Sequence, residues 1–174
     1  MACHMSGVEQ LWAGWRSAWV ESVPSAPEGC VLCRLTQADN QEDAFVVWRG
    51  EHAFAGLNLY PYATGHMLIA PNRHVADLEQ LTEAEGTSLW TALLAAQHAL
   101  RVAYEPDGLN VGANVGSTAG ASIPGHVHFH AVPRWSGDTN FITATANLKV
   151  IPEALDTTYK KLHAAWPRDG FACP

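Results

Sequence analysis

Apolar residues recur along this chain in two rhythms, and the switches between them mark out its elements. Leu11, Trp12, Trp15 and Trp19 fall at helical spacing, so residues 7–22 are expected to form an amphipathic helix. Residues 21–43 hold Pro24, Pro27 and Gly29 and read as an irregular connection. Short apolar runs then predict strands over 44–48, 53–59 and 66–70. Pro61 and Gly65 punctuate the second gap and Pro71 closes the third strand. Thr82-Glu83-Ala84-Glu85 has capping-box spacing. Leu89, Leu93, Gln97, Leu100 and Tyr104 mark one side of a long helix over 82–104, ending near Pro106, with Trp90 and Leu94 off that stripe. Strands at 109–114 and 126–132 flank a loop of small residues from Gly116 to Gly125, and a final helix spans 152–165. The order implies an α+β fold, one sheet with helices packed on it.

The strand at 126–132 changes the picture from fold to chemistry. His126, His128 and His130 alternate with Val127, Phe129 and Ala131, so all three imidazoles share one face. Imidazole serves as nucleophile, acid–base group or metal ligand near neutral pH. One ion cannot take all three, because the outer two stand about 13 Å apart along a strand. A zinc hydrolase using His126, His128 and His66 remains an alternative at this point. The loop before the strand, Asn114 to Ser122, adds glycines for close backbone approach and hydroxyls as neutral donors.

Composition narrows the partners. The 174 residues fit a single domain over 1–174, with a core of about 28–141 and flanking terminal helices. With 48% hydrophobic and 16% charged residues the chain reads as globular. It has neither a signal peptide nor an apolar run near the ~20 residues of a membrane span, so a cytoplasmic location is expected and no membrane partner. A net charge of -7 argues against a nucleic-acid polymer. A small anion is still admissible, since amides and hydroxyls can hold phosphate without a basic surface.

Of four cysteines, Cys3 and Cys173 lie near the termini, while Cys30 and Cys33 form a Cys-x-x-Cys pair. In a reducing compartment such a pair points to metal or redox chemistry. A thioredoxin-like role is disfavoured because no helix or βαβ pattern is expected after the pair. His4, His52, His98 and His163 read as ordinary surface or packing residues.

The stretch from Leu57 to Asn140 resembles the histidine triad (HIT) superfamily, whose signature is His-φ-His-φ-His-φ-φ with φ apolar. The triad itself carries the resemblance, with Ala131 a small occupant of an apolar position. Leu57-Asn58-Leu59-Tyr60-Pro61-Tyr62, Gly65-His66-Met67-Leu68-Ile69-Ala70-Pro71, Ala119-Gly120 and Val132-Pro133-Arg134 extend it. Leu11-Trp12-x-x-Trp15-Arg16 and the segment 134–141 resemble a bacterial branch near the members that cleave dinucleoside polyphosphates.

That resemblance implies an antiparallel sheet of about five strands with one long helix, assembled as a homodimer through that helix and an adjacent strand. It implies a nucleotidyl hydrolase or transferase in which His128 attacks the α-phosphorus of a nucleotide such as diadenosine tetraphosphate. His130 and His66 would orient and polarise groups around the phosphate, beside His126. Asn58 matches a ribose contact and Asn114 a phosphate-side contact, with Gly120, Leu57 and Leu59 also expected near substrate. Ser122 stands where many relatives carry glutamine. Some relatives bind structural zinc through positions matching Cys30, Cys33, His74 and His126. A nucleoside phosphoramidate hydrolase of the same superfamily and a non-catalytic, zinc-stabilised nucleotide-binding module are the alternatives.

Overall fold

The computed structural model describes residues 29–121, 123, 125–138 and 151–168. The expected helix at 7–22 lies outside the described residues. Five strands form one antiparallel sheet: β1 (Val46–Arg49), β2 (Ala53–Leu57), β3 (Met67–Pro71), β4 (Gly108–Ala113) and β5 (Phe129–Arg134), in the spatial order β1-β2-β3-β5-β4. Among the described residues three α-helices accompany them, α1 (Val31–Gln37), α2 (Glu83–Tyr104) and α3 (Leu155–Ala165). The α+β expectation and the strand count agree with this architecture.

Local chemistry accounts for the long helix. Thr82 accepts from the Glu85 N–H while the Glu85 carboxylate accepts from the Thr82 N–H, a reciprocal capping box at its start. Glu105 takes a left-handed conformation at the other end, φ 44°, and Pro106 prevents continuation. The helix lays Leu89, Leu93, Leu100 and a row of alanines on the sheet face carrying Ala55, Met67, Ile69 and Ala131. Those small residues let backbone and sheet approach closely. Tyr159 and Leu162 of α3 join the same core, and Trp166 stacks on Trp48 at 5.7 Å.

The opposite sheet face has its own cluster, Leu32, Val46, Phe54, Leu68 and Ala70, covered by α1. This helix corrects the expectation of an irregular connection over 21–43, and with it the premise that no helix accompanies the cysteine pair. Seven residues are too few to show a helical stripe, and tertiary contacts hold it. Leu32 is buried, and Arg49 Nη2 donates to the carbonyls of Leu35 and Ala38 at 2.6 and 3.2 Å.

The second correction concerns β5, which begins at Phe129 rather than at 126. Residues 126–128 leave the sheet because their hydrogen bonds go elsewhere. The Val127 N–H donates to the Val75 carbonyl at 2.7 Å and the His126 N–H to that of Ile123. Among the remaining elements the shifts are of one to three residues, such as α3 starting at 155 instead of 152.

Candidate active site

Strand alternation decides which histidines meet. His130 on β5 pairs with Leu68 on β3 and with Gly112 on β4, so its side chain lies on the face opposite α2. His66, two residues before Leu68, reaches the same face. Its Nε2 lies 2.9 Å from His130 Nδ1. Gly112 is bare, and a Cβ built there would meet nothing within 4 Å, so β4 leaves open space beside His130.

The hydrogen-bond network assigns the tautomers. A backbone N–H can only donate, and that of Tyr62 is 3.0 Å from His66 Nδ1, with the Asn58 amide nitrogen at 3.3 Å. His66 Nδ1 is therefore an acceptor and its proton sits on Nε2. That proton is donated to His130 Nδ1, which leaves His130 carrying its own proton on Nε2. His128 is fixed in the opposite sense. Its Nδ1 lies 2.8 Å from the His126 carbonyl, an obligate acceptor, so Nδ1 holds the proton and Nε2 keeps a free lone pair. Burial pushes the His128 pKa below the usual histidine value, against the opposing pull of that carbonyl. A neutral nucleophilic nitrogen and an N–H donor are thus adjacent, the two rings 5.0 Å apart.

His126 points away from this pair. Its Nε2 donates to the Pro71 carbonyl at 2.8 Å, which turns its Nδ1 lone pair towards Cys30 Sγ at 3.4 Å and Cys33 Sγ at 3.5 Å. His74 Nδ1 lies 3.3 Å from Cys33 Sγ. The four donor atoms of Cys30, Cys33, His74 and His126 all fall within 4.8 Å of one another. Two sulfurs and two imidazole nitrogens at this spacing are a donor set for a four-coordinate soft or borderline cation. The thiols face two histidines, an arrangement that suits metal binding. Among the described residues no other such group occurs, so the zinc hydrolase built on His126, His128 and His66 has no geometric support.

The other expected contacts are spread unevenly. Asn58 is half-buried beside His66, and Leu59 is 45% exposed in the turn that follows. Leu57 is buried in the core beneath α2, so its side chain belongs to packing. Asn114 Nδ2 contacts the Gly120 carbonyl at 3.4 Å, across the loop whose Gly120 adopts φ 90°. Ser122 lies outside the described residues. The His126–Pro71 and Val127–Val75 contacts and the Tyr62 N–H were not foreseen. They depend on loops brought together by the sheet, and no side-chain pattern announces a backbone donor.

With this geometry in place, the likenesses to known proteins are informative. The family model for the HIT domain matches residues 39–137. A Mycobacterium tuberculosis protein called AP-4-A phosphorylase is 38% identical over 168 residues, 92% of this chain and 86% of its own. An asymmetrical bis(5'-nucleosyl)-tetraphosphatase of Schizosaccharomyces pombe is 36% identical over 93 residues, 53% of this chain and 50% of its own. Among solved structures, a Zn-bound histidine triad family protein from Mycobacterium smegmatis aligns with a TM-score of 0.60 at 27% identity. It covers 79% of this chain and 92% of its own. The domain match spans more than half of the chain and the 38% identity runs over most of it, and the chain belongs to the HIT domain family.

Proposed function

We propose that this protein cleaves dinucleoside polyphosphates at an α-phosphorus through a covalent nucleotidyl-His128 intermediate. The carrying observation is the His128 Nδ1–His126 carbonyl hydrogen bond, which commits one ring nitrogen and leaves the other nucleophilic. In the first step His128 Nε2 forms the P–N bond as the bridging P–O bond breaks. The leaving nucleoside polyphosphate takes the electron pair as an anion, and the His130 Nε2–H donates a hydrogen bond to the departing oxygen while keeping its proton. In the second step water or inorganic phosphate attacks phosphorus, the P–N bond breaks with its electron pair returning to His128 Nε2, and the proton of the attacking group passes to solvent. Prealigned N–H and O–H groups lower the cost of charge on the equatorial oxygens. His66 holds His130 in the donating tautomer. Asn58 serves the ribose, while Asn114, Gly120 and Ser122 serve the phosphates and Leu59 the substrate's apolar edge.

The relatives named above support this substrate class, one as a phosphorylase and the other as a tetraphosphatase. Zinc on Cys30, Cys33, His74 and His126 acts structurally in this reading. It supplies folding energy and anchors the segment that leads into β5. The chain functions as a cytoplasmic homodimer through α2 and the edge strand β4. Trp90, 59% exposed on α2, and Val111, 42% exposed on β4, support that pairing. Among the described residues no helix is long and apolar enough to cross a membrane.

Product analysis tests the reaction. Diadenosine tetraphosphate should yield ATP with ADP when phosphate is the acceptor, and ATP with AMP when water is. The His128→Asn variant should lose turnover and keep nucleotide binding. Turnover within about tenfold of wild type, roughly 1.4 kcal/mol of barrier, would reject His128 as nucleophile. Preference for an adenosine phosphoramidate in the same panel would move the protein to the other branch.

A further inference from the structure

One residue grips the His66–His130 pair from two directions, and the reaction proposed above gives it no role. Tyr62 lies in the turn between β2 and β3. Hydrogen bonds of the His66 N–H to the Ala63 carbonyl and of the Asn58 N–H to the His66 carbonyl pin that turn, at 3.1 and 2.9 Å. Gly65, at φ +82°, lets the chain double back before His66. The Tyr62 N–H meets His66 Nδ1 at 3.0 Å. Its phenol ring lies against the His66 imidazole with centroids 4.7 Å apart and planes at 34°. It also covers His130 at 6.0 Å and 21°.

We propose that Tyr62 is a positioning residue that locks the His66–His130 pair into one tautomer. This deepens the nucleotidyl-transfer reading and rests on it. The two tautomers of a neutral imidazole lie close in free energy, so their choice is left to the neighbours. The Tyr62 amide selects Nε2–H on His66, but only while the ring stays in plane with the His130 acceptor. The phenol ring supplies that restraint. A flat face tilted against His66 and stacked on His130 opposes rotation of either and excludes the water that could bridge them in another pattern. Were the pair to slip, the nitrogen of His130 facing substrate would present a lone pair and repel a phosphate oxygen. The ring acts through His66 and His130, so its effect belongs in kcat rather than in substrate affinity.

Two substitutions separate ring from bulk. Tyr62→Leu and Tyr62→Met keep apolar cover without a flat face, whereas Tyr62→Phe keeps the face. Side-chain 15N NMR of the zinc-loaded protein reads the imidazole tautomers, and steady-state assays with diadenosine tetraphosphate read kcat and KM. In wild type both His66 and His130 should appear as pure Nε2–H forms. Tyr62→Leu or Tyr62→Met should show mixed tautomers and a kcat lower by about tenfold or more, with KM within about threefold. Tyr62→Phe should recover a single tautomer and most of kcat. A wild-type spectrum with His130 protonated on Nδ1 would overturn the proposal even if every variant failed to fold. So would a folded Leu or Met variant with pure tautomers and kcat within about threefold of wild type. A wild type that cleaves no nucleotide would sink the nucleotidyl reading, while the spectra would still decide the clamp.

Discussion

Replacing Glu85 with Gln should cost about 1.5 kcal/mol of stability at neutral pH and nothing at strongly acid pH. The Glu85 carboxylate is 7% exposed and receives Arg73 Nε and Nη2 at 2.7 Å each, the Thr82 N–H at 2.8 Å and the Thr82 hydroxyl at 3.0 Å. The Arg73 guanidinium first, and the Thr82 N–H second, lower its pKa from 4.5 to about 2. Unscreened, such a displacement would be worth about 3 kcal/mol. The Arg73 side chain is 50% exposed, so solvent screens the pair and roughly half remains. Because the folded-state value is depressed, the contribution is complete above pH 4.5 and disappears as pH falls towards about 2. Gln mimics the protonated acid, so the two proteins should converge over that window. Urea denaturation of both proteins at pH 7, 5, 4 and 3 reads the gap, and at pH 7 the Tm should fall by about 3–6 °C. A gap under about 0.5 kcal/mol at pH 7, or one undiminished at pH 3, would refute the reasoning. The effect reaches the site, because Arg73 immediately precedes His74 in the loop leaving β3.

Further outcomes follow from other contacts. The purified protein should carry one zinc per chain, and Cys30→Ser should lose both the metal and several degrees of Tm; elemental analysis finding no zinc in chelator-free wild type would contradict this. Gly65→Ala should destabilise by about 2–3 kcal/mol in denaturant titration, from its left-handed backbone and from a crowded Cβ. That Cβ would stand 3.1 Å from Leu100, 3.2 Å from Tyr104 and 3.3 Å from Pro133. Light scattering should give a dimer for wild type and a smaller species for Trp90→Glu; a monomeric wild type at micromolar concentration would count against the α2–β4 interface.

What could be read from the chain beforehand followed the range of each signal. The long helix was legible because its stripe and its capping box are local in sequence. The expectation that alternation sets all three histidines on one face holds only in part: His128 and His130 stand side by side, whereas His126, outside β5, turns to Pro71, Cys30 and Cys33. The start of β5 was not legible, because alternation persists through 126–132 while the hydrogen-bond partner changes at 129. Val127 turns to Val75 and only Phe129 joins β3, and no composition records that switch. Helix α1 escaped notice because its stability comes from Leu32 packing and the Arg49 contacts rather than from propensity. Strand parity also divides neighbours: Leu57 packs in the core beneath α2, while Asn58 lies beside His66.

The sheet order also sets a timetable for assembly. β2 and β3 are joined by nine residues and can pair early, whereas β5 inserts between β3 and β4 only after α2 has been laid down. His66 and His130 are 64 residues apart in the chain, and Cys30 and His126 are 96 apart. A growing chain therefore carries no competent histidine pair until its C-terminal third arrives. An ion gripping Cys30 and His126 would close the longest of these loops and relieve the refolding chain of part of its search. Renaturation with zinc present should accordingly outpace renaturation without it, a difference in rate that no inspection of the finished fold displays.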